Sequence, residues 1–158
     1  MSFRPIKKSA LLYGEGRKEV VFFNFLLKTD KFKFLEKVWA IETGHASGSS
    51  PEVILKKCIE TKNDEREYEK VLCFIDTDKL KHDFPHSHVE KKQQLEDLAA
   101  TNDVTIIWQD TNHESELKSA TSGKIAQKNG MRRRLELHKE IILRSRFVKT
   151  IFRHFYTS

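Results

Sequence analysis

Four short apolar segments, separated by stretches of helical character, limit the folds open to this chain more than any other feature. They span residues 9–13, 37–41, 70–75 and 104–108. Apolar residues occupy consecutive rather than alternating positions in each segment, which is typical of strands covered on both faces. The segments therefore predict a mainly parallel, four-stranded sheet.

The stretches between these segments are long enough for crossover helices. Residues 17–28 carry dense apolar positions at helical spacing, and residues 88–100 predict another helix. Ser50 and Pro51 are typical of an N-cap followed by the first position of a helix. Strands that alternate with such helices favour right-handed βαβ units. The prediction is a three-layer α/β/α, Rossmann-like domain with one core, a size that 158 residues allow.

The character of the chain changes after the fourth strand. Residues 131–156 predict one basic helix with an apolar stripe. The stripe indicates core packing or an interface with a second copy or a partner protein; its members are Leu137, Ile141, Val148, Phe152 and Phe155. We predict an α/β domain over residues 1–120 and a helical extension over residues 121–158 that packs on the same domain.

Positive charge is concentrated in that extension. Residues 124–158 contain ten Lys or Arg against two Glu, a formal charge of +8, whereas the remainder carries 19 basic against 21 acidic residues. Clustered Lys and Arg bind polyanions by displacing condensed counterions. A nucleic-acid partner is therefore expected, with contacts from Arg132, Arg133 and Arg134 and from Arg17 and Lys18.

Hydropathy argues against a membrane protein. No apolar run approaches the roughly 20 residues that a membrane-spanning helix needs, and residues 1–8 are not followed by a hydrophobic region of signal-peptide type. We therefore expect a cytoplasmic protein.

Carboxylates follow two of the predicted strands. Glu15, between Gly14 and Gly16, leaves the first strand at the turn into a helix, and Glu19 lies one helical turn later. In an open parallel sheet, ligands bind outside the carboxyl ends of the strands. The two glycines allow a tight turn and a close approach of a phosphate group.

The third strand ends in two aspartates, Asp76 and Asp78, separated by one residue. With a period of two, both carboxylates are expected to project to one side at the strand tip. Carboxylates that converge repel one another unless a cation lies between them, and Mg²⁺ prefers such oxygen ligands. The sequence therefore predicts a Mg²⁺ site, which Mn²⁺ can also fill, formed by Glu15, Glu19, Asp76 and Asp78.

These motifs resemble those of a known family. Residues 15–19, Glu-Gly-Arg-Lys-Glu, and residues 74–78, Phe-Ile-Asp-Thr-Asp, resemble the two signature motifs of TOPRIM domains, the catalytic module of topoisomerases, primases and several nucleases. The chain is most similar to small RloB-like and OLD-type bacterial TOPRIM proteins, which share the Glu-Gly-x-x-Glu motif and the Ser-Pro helix start seen at residues 48–51. The resemblance covers roughly residues 8–120, a length that one α/β domain can fill.

The resemblance implies a further acidic element after the fourth strand. Glu116 is the best candidate and Glu114 the alternative, although residues 118–120, Lys-Ser-Ala, replace the aromatic and apolar residues that usually follow this element. Lys124 lies where OLD-type nucleases place a basic residue near the scissile phosphate.

The implied reaction is metal-assisted phosphodiester cleavage. Catalytic roles would fall to Glu15, Asp76, Asp78, Glu116 and Lys124, with Glu15 as a metal ligand or general acid and base and Lys124 stabilising developing charge. The same resemblance implies a role in bacterial defence against foreign nucleic acid, including that of phage.

Two other functions remain open. The first is a non-catalytic nucleic-acid-binding or regulatory module that keeps the fold without turnover. The second is a phosphoreceiver-like or phosphatase-like protein with Asp76 as the acceptor, which would need an acidic pair after the first strand and a suitably placed lysine after the last.

Overall fold

A four-stranded parallel sheet forms the centre of the protein in the computed structural model, which describes residues 7–65, 67–109, 116 and 135–156. The strand order is β2-β1-β3-β4. All three strand pairs are parallel, which confirms the predicted sheet. The strands are β1 (Lys8–Gly14), β2 (Trp39–His45), β3 (Lys70–Asp76) and β4 (Thr105–Gln109).

Helices connect the strands and cover both faces of the sheet. In the described parts of the chain they are α1 (Arg17–Leu27), α2 (Asp30–Lys33), α3 (Pro51–Glu65), α4 (Thr77–Asp83), α5 (His88–Thr101), α6 (Lys139–Leu143) and α7 (Arg146–Arg153), with a 3-10 turn at Leu35–Lys37. Helix α3 begins at Pro51, and the Ser50 hydroxyl accepts a hydrogen bond from the Val53 N–H at 3.4 Å. The predicted start of this helix is confirmed.

Alternate residues of each strand enter different layers of the core. In β3, Leu72 and Phe74 pack with α1 and the C-terminal helices, whereas Val71, Cys73 and Ile75 pack with α3 and α5. This period of two, with apolar residues on both faces, is what a strand between two helical layers requires. The predicted three-layer α/β/α architecture is therefore confirmed.

Aromatic rings fix the C-terminal helices onto the α1 face. Phe147 of α7 stacks on Phe22 of α1 with ring centroids 5.7 Å apart and meets Phe74 of β3 edge-on at 6.2 Å. The ring centroids of Phe23 and Phe74 lie 4.7 Å apart. Burial of a side chain of this size stabilises the fold by roughly 1.5–3 kcal/mol. The interlocked rings hold α1, and therefore its first turn, in place against β3.

The second strand was predicted too early in the chain. Residues 37–41 were expected, but β2 runs from Trp39 to His45, and Lys37 belongs to the 3-10 turn. Among the described residues strand β2 pairs with β1 alone, at the sheet edge, and its residues 40–45 are half-exposed. An edge strand tolerates polar side chains, so the second half of β2 lacks the run of consecutive apolar residues that predicted its first half.

The predicted single helix over residues 131–156 is wrong within the described range. Helices α6 and α7 are separate because Ser145 adopts an extended conformation and its hydroxyl accepts a hydrogen bond from the Val148 N–H at 3.3 Å. An N-cap of this kind starts a new helix. Val148 and Phe155 of the predicted stripe are buried, whereas Leu137 is 73% exposed.

None of the described helices has the length and apolar character that crossing a membrane requires.

Candidate metal centre

All four strands end at one edge of the sheet. The register pairs Gly14 with His45 and Asp76 with Gln109, the last residues of β1, β2, β3 and β4. This carboxyl edge is where open parallel sheets bind ligands. Side chains that follow the strand ends are therefore neighbours although they are distant in sequence.

Gly14 sets the position of Glu19. A Cβ atom at Gly14 would lie 2.4 Å from the Glu19 Cβ, so only glycine lets the first turn of α1 approach β1 this closely. The Gly16 N–H then donates a hydrogen bond to Glu19 Oε2 at 3.1 Å. Glu19 precedes Phe22, Phe23 and Leu26 on the inward stripe of α1 and is itself only 5% exposed.

Asp76 faces the same layer as Glu19. It continues the even-numbered series of β3 after Leu72 and Phe74, which face α1. Gln109, fully buried at the end of β4, donates a hydrogen bond from Nε2 to Asp76 Oδ1 at 2.7 Å. Because Gln109 follows Ile107 by two residues on the same face, the two strand ends aim one amide and one carboxylate at the same point.

Glu15, Glu19 and Asp76 form the acidic cluster. One carboxylate oxygen from each lies within 4.8 Å of the others, with Glu19 and Asp76 buried and Glu15 half-buried. Three hard oxygen donors from two neighbouring strand ends suit a small divalent cation such as Mg²⁺ or Mn²⁺. The acidic cluster could therefore hold a metal ion.

Crowding of the carboxylates changes their protonation. Burial, a hydrogen bond with Glu15 and the charges of the neighbouring carboxylates raise the pKa of Asp76 to about 8. Burial also raises the pKa of Glu19, against hydrogen bonds from the backbone that lower it. Both shifts express the cost of holding several negative charges together away from water. A cation inside the acidic cluster would remove that cost.

One cation already touches the acidic cluster. Lys79, in the first turn of α4, forms an ion pair with Glu15 Oε1 and donates a hydrogen bond to the Ser49 carbonyl at 3.1 Å. Its side chain is 40% exposed and that of Glu15 is 15% exposed. Lys79 thus connects the end of β3 to the turn after β1 and to the loop before α3, and it neutralises the charge of Glu15.

The loop before α3 closes one side of the acidic cluster. The Gly48 N–H donates to the Glu15 carbonyl at 2.8 Å, and the Ala46 N–H donates to the Gly14 carbonyl at 3.1 Å. Gly48 has φ of +77°, a left-handed conformation that favours glycine. These bonds fix the backbone on both sides of Glu15.

Asp78 does not lie at the strand tip, as the sequence suggested. Strand β3 ends at Asp76, and Asp78 is the second residue of α4, a helix that the sequence analysis did not predict. It is not a member of the acidic cluster, although its charge contributes to the raised pKa of Asp76. Its role as a ligand stays a prediction.

The other predicted residues fall into two groups. Arg17 and Lys18 are exposed in the first turn of α1, beside the acidic cluster, and Glu116 is half-buried. A second group lies outside the residues that the structure describes: Glu114, Lys124, Arg132, Arg133 and Arg134. The roles assigned to both groups stay predictions.

Two contributors were missed from the sequence. Lys79 directly follows Asp78, and Gln109 is the first polar residue after the apolar run of β4. A polar residue at a strand end was a usable signal for Gln109. No local signal pairs Lys79 with Glu15, since they are 64 positions apart and meet only when both strand ends are assembled.

Comparison of the chain with protein-family models, with curated proteins and with solved structures finds no match.

Proposed function

We propose that this chain is a Mg²⁺-dependent nuclease, or a closely related phosphoryl-transfer enzyme, of the TOPRIM type. The observation that supports it best is the acidic cluster: Glu15, Glu19 and Asp76 converge at the carboxyl edge of a parallel sheet within 4.8 Å. The proposal keeps the resemblance to RloB-like and OLD-type proteins and, with it, a role in defence against foreign nucleic acid.

The buried members of the acidic cluster suit the task of holding the ion. Asp76 and Glu19 are fixed by Gln109 and by the Gly16 N–H, so their oxygens are oriented before an ion arrives. A bound Mg²⁺ would polarise a phosphoryl oxygen and lower the pKa of a bound water. Asp76 must lose its proton for this, because only the carboxylate is a good ligand.

Glu15 is the more adaptable member. It is half-buried in the turn after β1, and one of its oxygens is paired with Lys79. A divalent ion would compete with Lys79 for this carboxylate or use its second oxygen. Glu15 is therefore suited either to binding metal or to moving a proton, and Lys79 can contact a phosphate oxygen once it leaves Glu15.

A specific observation favours a second candidate, a nucleic-acid-binding or regulatory module without turnover. Lys79 neutralises Glu15, and Asp76 with a pKa of about 8 keeps its proton at neutral pH. The acidic cluster can therefore balance most of its charge without a metal. In this case the fold binds nucleic acid, while the carboxylates serve only the structure.

Two measurements separate the candidates. Thermal unfolding with and without Mg²⁺, Mn²⁺ or Ca²⁺ reports metal binding for the wild type, Asp76→Asn and Asp64→Asn, an exposed aspartate of α3 that serves as the control. Cleavage of end-labelled single-stranded DNA, duplex DNA and RNA reports activity. Metal-dependent stabilisation and cleavage in the wild type and the control, both lost in Asp76→Asn, support the enzyme.

The opposite results are equally clear. Salt-sensitive nucleic-acid binding without cleavage favours the second candidate. Cleavage that survives Asp76→Asn would show that the acidic cluster is not the active site.

A further inference from the structure

Basic and aromatic side chains form a second surface at the opposite, amino edge of the sheet. It is built by the segment from α2 to the start of β2 and by the end of the chain, where Phe155 packs edge-on against Trp39 at 5.5 Å. We call it the basic-aromatic surface; its members are Lys31, Phe34, Lys37, Phe152, Arg153 and Tyr156.

Cations and rings are interleaved across this surface. Lys31 Nζ lies 4.5 Å from the centre of the Phe152 ring, and that ring lies 4.9 Å from the Tyr156 ring. Lys37 Nζ lies 5.3 Å from the Phe34 ring. Phe152 and Phe34 thus each carry an ammonium group over one face, and base stacking on Phe34 would use its other face.

The exposed rings do not serve the core. Phe34 is 63% exposed and Tyr156 is 59% exposed, and they are the two exposed aromatic side chains among the residues that the structure describes. Most large apolar side chains of a folded domain gain their stabilisation by leaving water. Both rings lie in basic segments and are open to a partner that can stack on them.

The segments that build this surface carry an excess of positive charge. Residues 28–39 and 139–156 together carry nine Lys or Arg against three Asp or Glu, a formal charge of +6 that equals that of the whole chain. The remaining residues carry equal numbers of each sign. The partner of this surface should therefore be strongly negative.

Two neighbouring groups also have lowered pKa values, with burial as the main cause. Burial and, to a smaller extent, the charge of Lys8 lower the pKa of Lys70, whose ammonium donates a hydrogen bond to the His154 carbonyl. Burial and, to a smaller extent, Lys70 and Arg153 lower the pKa of His154.

We propose that the basic-aromatic surface binds single-stranded nucleic acid. Phosphates would pair with Lys31, Lys37 and Arg153, while unpaired bases stack on Phe34 and Tyr156. Stacking on protein rings needs bases that are not already stacked in a duplex, and basic grooves with aromatic platforms are typical of single-strand binding. This inference rests on the proposed function and names its substrate class.

The two sites are separate. Each of β1, β2 and β3 has seven residues, so their two ends lie about 20 Å apart at about 3.3 Å per residue. Substitutions on the basic-aromatic surface should therefore leave metal-dependent stabilisation unchanged. Asp76→Asn should leave the affinity for single-stranded nucleic acid unchanged. Failure of one site is thus distinguishable from failure of the other.

Fluorescence anisotropy with labelled poly(dT) and oligo(U), each about 16 nucleotides long, and with a DNA duplex of equal length tests the proposal. Phe34→Ala and Tyr156→Ala should each weaken single-strand binding about tenfold with little effect on the duplex. Lys31→Gln should reduce the slope of log affinity against log salt by about 0.7. Thermal melts verify that each variant is folded.

Matched controls lie on the α5 face of the protein. Val89→Ala replaces an apolar side chain that is 66% exposed, a fraction similar to the 63% of Phe34. Lys92→Gln removes a lysine whose Nζ lies 5.4 Å from the centre of the Trp108 ring. Neither control should change binding.

Three results would overturn the proposal. The first is wild-type affinity for single strands in Phe34→Ala and Tyr156→Ala. The second is equal loss of affinity in the Val89→Ala control. The third is an affinity for duplex DNA, or for vesicles containing anionic lipid, that equals the affinity for single strands and falls equally in Phe34→Ala and Tyr156→Ala.

Discussion

Replacing Asp76 with asparagine should stabilise the metal-free protein while abolishing its response to metal. The Asp76 pKa of about 8 lies above its ordinary value of 3.8, so the folded protein holds the proton more tightly than the unfolded chain. The unfolded chain ionises near pH 4 and the folded protein only near pH 8. Protonated Asp76 makes its full contribution to the unfolding free energy below about pH 4. This contribution is lost as the pH rises from about 4 to about 8.

The magnitude follows from the same interval. Each pH unit between the two pKa values is about 1.4 kcal/mol, so at pH 7 the protonation difference costs folding at most about 4 kcal/mol. Asparagine is neutral in both states and removes this cost. Its side-chain oxygen can still accept the hydrogen bond of Gln109. Because a buried site relaxes and admits water, we expect a gain of about 1–3 kcal/mol in unfolding free energy.

Urea unfolding in a chelating buffer measures the effect. The wild type, Asp76→Asn and the exposed control Asp64→Asn are compared at about pH 5 and about pH 8. The advantage of Asp76→Asn over the wild type should grow with pH, whereas Asp64→Asn should follow the wild type. An advantage that is equal at both pH values, or a variant less stable than the wild type at pH 8, would refute the electrostatic account of the site.

Three further predictions concern the same site. Metal binding at neutral pH should release about one proton, mainly from Asp76, so the binding enthalpy measured by titration calorimetry should differ between buffers of different ionisation enthalpy. Equal binding enthalpies in all buffers would contradict proton release. Lys79→Met should destabilise the metal-free protein by about 1–2 kcal/mol and tighten metal binding, because an ion pair is lost and a competing cation removed. The exposed Lys81→Met on the same helix is its control, and an unchanged metal affinity would argue against competition. Gly14→Ala should lower the unfolding free energy by about 1–3 kcal/mol and weaken metal-dependent stabilisation, because the new Cβ would overlap the first turn of α1. In the control Gly16→Ala the new Cβ meets nothing closer than 4.0 Å, so this variant should bind metal normally.

Much of the fold could be predicted because its central strands are buried on both faces. Segments 9–13 and 70–75 were predicted because nearly every position in such a strand faces a helix and is apolar. The second half of β2 and the break at Ser145 were not predicted. Strand β2 lies at the sheet edge, where fewer positions are buried and the apolar pattern is therefore weaker. Ser145 acts as an N-cap because its backbone is extended there, and a serine within a helical pattern does not reveal this from the sequence.

The carboxylates of the candidate site were predictable, but its charge balance was not. Glu15, Glu19 and Asp76 lie at or shortly after the ends of predicted parallel strands, and such ends meet at one edge of a sheet, so their convergence could be expected from the sequence. Lys79 could not, because its contact with Glu15 depends on where α4 begins and how it lies against the loop before α3.

The sequence by itself determined the strands of the sheet centre, the parallel α/β architecture and the edge at which acidic side chains gather, because burial on two faces requires runs of consecutive apolar residues. Only the tertiary structure decided that Asp78 lies on a helix, that Gln109 and Lys79 contact the acidic cluster, and that rings and lysines from distant segments share one surface. Such contacts join residues far apart in sequence, and their free energies depend on distance and on exclusion of water, which no local pattern of residues records.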